Sequence, residues 1–312
     1  MEKKEFNSST QTTHNEEGGE IVNKNLAKKG YVTGSSPVVE GGNIGGPGGS
    51  DAKPNAAVAV YAEAHETSLE DTRRVMDVNF FGQLHGVLAA LPYLEKSGGQ
   101  IIATLSVDSE VALPFHSAYV ASKHALYGYY KVLHEELLNK RSPVKVSTIL
   151  PASIATPFFE HAKTQLGVRP KPVPPVYSPQ HVVKAMLKVA ERPKFSTVVG
   201  GSGRNFIWFY RRFPNVFYRI QSWVGYPMQK SNEPKRPEDA NNLYQPVPQS
   251  SRIWGTDKPS VIADFIESRN INIFAGLVGL LGVGLLIARR SRVNQSSDQT
   301  QRVSIESTME AA

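Results

Sequence analysis

LSVDSEVALPFHSAYVASKHAL, residues 105–126, links the end of a strand to the start of a long helix. Residues 100–105 are short, apolar and follow a Gly98-Gly99 turn, which predicts a strand. Residues 117–138 then predict a long helix, and 144–150 a second strand. Working outward, Ser178-Pro179 supplies an N-cap and a proline at the first helical position. That third helix should end near Arg192-Pro193, before a third strand at 196–199. Upstream, Ser68 caps a helix with Asp71 at N3. Leu69, Val75, Val78, Phe81, Leu84, Val87, Leu88 and Leu91 follow at roughly helical spacing, up to Pro92. Strands alternating with helices of these lengths predict an α/β fold with a parallel sheet. The three strands should be neighbours, with helices 68–91 and 117–138 on one face and 179–192 on the other.

The same segments carry candidate chemistry. Tyr119 and Lys123 are four residues apart, so both lie on one helix face. An adjacent ammonium favours the phenolate, which would lower the tyrosine pKa and suit it to acid/base work. The pair alone is common on helices. Ser106 follows the strand 100–105, where residues at carboxyl ends face a ligand crevice. Its plain alternative is a turn or cap. Asn79 lies mid-helix within VMDVNFFG, an unfavourable place unless its amide is hydrogen-bonded. Pro151, Ile154 and Thr156 belong to the segment PASIATP that leaves the strand 144–150. It is either a simple strand exit or a ligand loop.

In this order, Asn79, Ser106, Tyr119, Lys123 and P-A-x-x-x-T resemble the tetrad and post-strand loop of the short-chain dehydrogenase/reductase family. Residues 55–58, NAAV, are similar to a degraded form of its N-N-A-G segment, which puts Asn55 beside the cofactor. The resemblance implies a partial Rossmann-like, doubly wound sheet and hydride transfer between NAD or NADP and a small carbonyl or alcohol substrate. It implies that Tyr119 exchanges the proton and that Lys123 holds the nicotinamide ribose and keeps the Tyr119 pKa low. By the same resemblance, Ser106 binds the reacting oxygen and Asn79 holds a relay water. Ile154 and Thr156 would meet the carboxamide, with Ala152 where the family usually has glycine. It also implies a homodimer through helices 68–91 and 117–138, and a substrate lid at 158–177, where a plain linker is the alternative.

The family's phosphate loop has only a brief counterpart in VTGSS at 32–36, followed by Pro37 rather than a helix. Two crossovers of roughly 30 residues each do not fit between Gly34 and Asn55. Residues 1–54 are therefore expected to be disordered, or at best loosely draped over the sheet edge, and outside the family, and 55–201 to be the partial catalytic domain. A catalytically impaired, membrane-associated interaction protein is the alternative reading. Residues 202–270 form an aromatic and basic extension, expected to pack on the core and touch an interface. Residues 271–290 form a candidate membrane helix, and 291–312 a polar tail. Within it, 273–288 is uncharged and flanked by Arg289-Arg290, which favours a cytoplasmic C-terminus. A cofactor-using domain also belongs in the cytoplasm, so a shallow or re-entrant anchor fits better than a straight span. The net charge of +7 comes without a nucleic-acid-binding signature. Without cysteine there is no disulfide or thiol nucleophile, and no metal site is expected.

Overall fold

The computed structural model describes residues 31–34, 51–54, 56–247 and 252–268. The candidate membrane helix at 271–290 lies outside them, and no described helix is long and apolar enough to cross a membrane. Within residues 1–260, five strands form one parallel sheet in the order β1-β2-β4-β5-β8. They are β1 Tyr31–Gly34, β2 Asp51–Pro54, β4 Gly99–Thr104, β5 Val144–Pro151 and β8 Ser196–Val199. The three strands expected from sequence are adjacent, in parallel register from Gly99↔Val144 and from Thr148↔Ser196.

Alternation along the strands sorts the core into two layers. Ile101, Ala103, Val144, Val146 and Leu150 face helices α2 (Gly82–Ser97) and α3 (Ser117–Asn139), where they meet Val87, Leu94, Leu126, Tyr130 and Leu133. Ile102 and Ile149 point the other way, onto Val182, Met186 and Val189 of α5 (Pro179–Glu191). Ser178 caps α5 by accepting from Gln180 N, with Pro179 in the first turn.

Two expectations are corrected. The segment 1–54 is not wholly without structure, because β1 and β2 extend the sheet, with Asp51↔Gln100 and Ala52↔Ile101 in register. Without them β4 would present a row of unpaired backbone groups, a template that even a weakly β-prone segment can fill. The first long helix also departs from its expected face and end. It starts as α1 (Leu69–Met76), capped by Ser68 on Asp71 N, widens into a π turn at Asp77–Phe81 and continues as α2. Its buried stripe is Asp71, Val75, Asn79, Gln83, Val87, Ala90 and Leu94, whereas Leu69, Phe81 and Leu88 are exposed. Steps of four overshoot an α-helical turn, and the wider π turn brings the stripe back toward the sheet. The helix passes through Pro92 rather than ending before it. Pro92 deprives the carbonyl of exposed Leu88 of its donor, and water can supply one there.

The insert after β5 is ordered. It contains α4 (Phe158–His161), β6 (Lys163–Thr164), parallel to β3 (Val60–Tyr61), and β7 (Val168–Pro170), antiparallel to β9 (Lys230–Pro234). Lys163 Nζ grips both carboxylate oxygens of buried Asp71 at 2.7 and 2.9 Å, and Tyr244 OH donates to the same carboxylate at 2.9 Å. One carboxylate thus joins α1, the insert and the C-terminal extension. Beyond residue 260 the described part is the helix α9, Val261–Ser268.

Asp71→Ala strands a largely buried ammonium and should cost about 3 kcal/mol in urea denaturation. Adding Lys163→Met should recover part of that loss. An Asp71→Ala variant as stable as the parent would show that the clamp carries no stability.

Candidate active site

The carboxyl end of β4 brings Ser106, Tyr119 and Lys123 together. After Thr104 the chain enters a single 3-10 turn, Val107–Ser109, which Ser106 caps. Its hydroxyl accepts from Asp108 N at 3.1 Å, and its backbone N–H donates to Ser109 Oγ at 3.3 Å. Ser106 is therefore a cap, as the plain reading has it, and it also lies near enough to the Tyr119 phenol to lower its pKa. Tyr119 lies in the first turn of α3 among Ala59, Tyr61, Phe115 and Ala162, with the Phe158 ring centroid 5.4 Å from its own. One turn on, Lys123 donates from Nζ to Thr104 O at 3.2 Å, with Nζ 5.5 Å from the Tyr119 ring centroid.

Asn79 sits behind them in the π turn and is fully buried. Its Oδ1 accepts from Val58 N at 2.8 Å, and its Nδ2 donates to Val58 O and Ser122 Oγ, each at 3.0 Å. Ser122 in turn donates to Tyr119 O at 2.7 Å. Both amide hydrogens are used, so the side chain acts as a brace between the chain at Val58 and the helix bearing Tyr119.

The electrostatics correct one expectation. The Tyr119 pKa is raised rather than lowered, first by burial and then by the Asp108 carboxylate, while the Ser106 side chain lowers it. Lys123 does not offset this because burial weakens its own charge, pushing its pKa down to about 8 against the pull of Asp108. Its Nζ is also drawn to the Thr104 carbonyl rather than to the phenol.

Several neighbours had no role in the sequence reading. His116 Nε2 lies 3.2 Å from Asp108 Oδ2, and its ring is 5.0 Å from Tyr61 and 6.0 Å from Tyr119. Both residues stand inside the 105–126 block, where an acid eight positions before a histidine was the available signal. Gln83 donates to Thr104 O at 3.4 Å and accepts from Tyr130 OH at 3.2 Å, so that carbonyl is shared with Lys123. Pro151 closes β5 beside Val199, and Ile154 bridges Tyr177. Thr156 N donates to Ile154 O at 2.8 Å. No hydrogen bond joins Thr156 to Tyr119 among the described residues; Phe158, two positions on, reaches it by ring contact. Asn55 lies outside the described residues.

The site keeps unused hydrogen-bonding capacity. Lys123 has three N–H donors and one acceptor among the described residues, and Thr104 Oγ1 is buried without a partner. Lys123 lies buried on the α3 side of the sheet's carboxyl end, and its free N–H donors are of the kind that hold a ribose hydroxyl.

Residues 54–167 match the family model for short chain dehydrogenases. The chain is 31% identical over 193 residues to the uncharacterized oxidoreductase YxnA of Bacillus subtilis, covering 61% of this chain and 54% of that protein. It is 34% identical over 116 residues to dehydrogenase/reductase SDR family member 7B of Rattus norvegicus, covering 37% and 35%. The chain thus spans about half the length of the first relative and about a third of the second. Among solved structures it is similar to a short chain dehydrogenase from Burkholderia cenocepacia in complex with NADP. That likeness has 25% identity, a TM-score of 0.47, and coverage of 56% of this chain and 69% of the other.

The buried lysine makes a pH prediction. The folded chain releases the Lys123 proton near pH 8, the unfolded chain near 10.5. Between those values the unfolded state binds more protons, so this group makes stability rise with pH. Its penalty, roughly 3 kcal/mol, is full below pH 8 and gone above 10.5. The buried phenols act in the opposite sense, but only above pH 10, their ordinary value. Urea melts at pH 7 and 9.5 should show the parent gaining about 2 kcal/mol relative to Lys123→Met. Parallel pH dependences would refute the assignment.

Proposed function

We propose that the chain is, over residues 54–167, a member of the short-chain dehydrogenase/reductase family, whose model matches there, and that it interconverts a carbonyl and an alcohol using NAD or NADP. The observation that carries this reading is the placement of Lys123, its Nζ 5.5 Å from the Tyr119 ring centroid and hydrogen-bonded to Thr104 O at 3.2 Å, beside Ser106 at the end of β4. The nicotinamide cofactor, when bound, supplies the hydride. Lys123 would hold the ribose with the N–H donors that Thr104 O leaves free, and Ile154, Thr156, Pro151 and Asn55 would line the nicotinamide end. Ser106 orients the substrate oxygen, and Tyr119 gives or takes its proton.

A raised phenol pKa matters for direction. With its proton held at working pH, Tyr119 is in the form that can donate to a developing alkoxide, the step carbonyl reduction needs. In the oxidative direction, the cationic ring of an oxidised nicotinamide cofactor near the phenol would counter the Asp108 field. Asn79 spends its amide on Val58 and Ser122, so any relay water would be held by its backbone carbonyl. The surroundings of Tyr119, among them Phe115, Phe158 and Phe159, suit an apolar substrate body around the reacting oxygen.

We extend the reading to a homodimer through α1–α2 and α3, whose exposed Leu88, Tyr93, Val132 and Leu138 offer apolar contact. We also extend it to membrane association through residues 271–290, with the catalytic domain on the cytoplasmic side.

Tyr119→Phe should reduce NADPH-dependent carbonyl reduction by at least about 100-fold while leaving cofactor affinity unchanged in calorimetric titration. Turnover retained in this variant would remove Tyr119 from the chemistry. If neither NADH nor NADPH binds the parent chain, the interaction-protein reading takes precedence.

A further inference from the structure

The extension that follows β8 has two unlike sides. It comprises α6 (Gly201–Arg212), α7 (Pro214–Ile220), a π turn at Gln221–Gly225 and α8 (Tyr226–Met228). Its inner side is committed: Ile207 and Phe217 are buried against Val107 and Val111, with Phe206, Phe209 and Tyr210 around them. Its outer side carries Trp208, Phe213, Val216, Ile220, Trp223 and Val224, all exposed, Trp223 at 82%. Positions 213, 216, 220 and 224 follow helical spacing, so they form one stripe. The Trp208 ring, 6.2 Å from Phe213, extends that stripe onto α6.

The charge around this stripe is one-signed. Residues 201–230 contain Arg204, Arg211, Arg212, Arg219 and Lys230, and no aspartate or glutamate. Arg211 is ion-paired with Glu110, borrowed from another part of the chain. Arg212 lies 4.9 Å from the Phe213 ring centroid, at the edge of the stripe. Neither Arg212 nor Arg219 has a carboxylate partner among the described residues. An apolar stripe with a tryptophan this bare is more than the scattered exposure of an ordinary surface. A second copy of the same face would set arginine against arginine, which argues against self-association as its use.

We propose that the α6–α7 face docks onto a bilayer containing anionic phospholipid, with the Trp223 side seated at the level of the headgroups and Arg212 and Arg219 on lipid phosphates. Aromatic and aliphatic side chains bordered by arginines, without acidic residues, match the chemistry of such an interface. This deepens the membrane part of the function proposed above by naming a contact separate from residues 271–290, and it stands apart from hydride transfer.

The test uses the full chain carrying Trp208→Phe and Trp254→Phe, which leaves Trp223 as its sole tryptophan. Vesicles of brominated phosphatidylcholine, with and without about one-third phosphatidylserine, report contact by quenching. Trp223 should be quenched by the phosphatidylserine vesicles, and quenching should fall as salt rises. Arg212→Glu with Arg219→Glu should weaken that response at least about tenfold, with an unchanged thermal melt as the folding control. Vesicle flotation without Trp223 quenching would overturn the inference and leave anchoring by 271–290 standing. Neither flotation nor quenching would overturn both. A vesicle-free dimer that the arginine reversals dissociate would assign the face to a second copy and likewise overturn it.

Discussion

The side-chain amide of Asn79 fixes the register of everything around the site. Val58 turns both its backbone N–H and its C=O toward the side chain of Asn79, which satisfies them together. Its remaining hydrogen reaches Ser122, which hands the connection to the Tyr119 carbonyl. Three segments far apart in sequence are held by one planar group, and an orphaned backbone pair at this depth would cost a few kcal/mol. The π turn is the local accommodation that lets the amide arrive at the right angle.

Around that brace the site is an unfavourable place for charge. Burial works against both a phenolate at Tyr119 and an ammonium at Lys123, and Asp108 sharpens the first effect while opposing the second. The pair is therefore set toward a neutral phenol and a lysine close to losing its proton. A bound group that adds acceptors for Lys123 and displaces apolar wall would move both toward the charged forms. The Thr104 carbonyl is where these demands meet, since Lys123 and Gln83 share it and Tyr130 holds Gln83 in turn.

What was legible in the sequence was local. Ser68 and Ser178-Pro179 announce helix starts through contacts two or three residues away, and the structure makes those contacts. The order of Asn79, Ser106, Tyr119 and Lys123 is carried by spacing along strand and helix, and the first layer of the site follows from it. What escaped depends on distant partners. Leu69, Phe81 and Leu88 look like a core face, yet Asp71, Asn79 and Gln83 take the buried stripe because each finds hydrogen bonds there that the sequence does not advertise. The sheet's recruitment of Tyr31–Gly34 and Asp51–Pro54 has the same origin: the edge of β4 decides, and their own weak propensity does not. The pKa direction of Tyr119 was misjudged because spacing reveals a neighbour's identity but not its burial.

The all-parallel sheet has a consequence for how this chain reaches its native state. Strands β4, β5 and β8 are each joined by a helix or longer excursion, so no pairing among them is a hairpin and every one closes a long loop. High contact order of this kind slows folding, because loop entropy must be lost before a ladder bond forms. Helix α3 needs only local contacts and can align Tyr119 with Lys123 early. Ser106, carried by the end of the central strand β4, meets them only when the sheet forms, so the site is completed after α3 rather than with it.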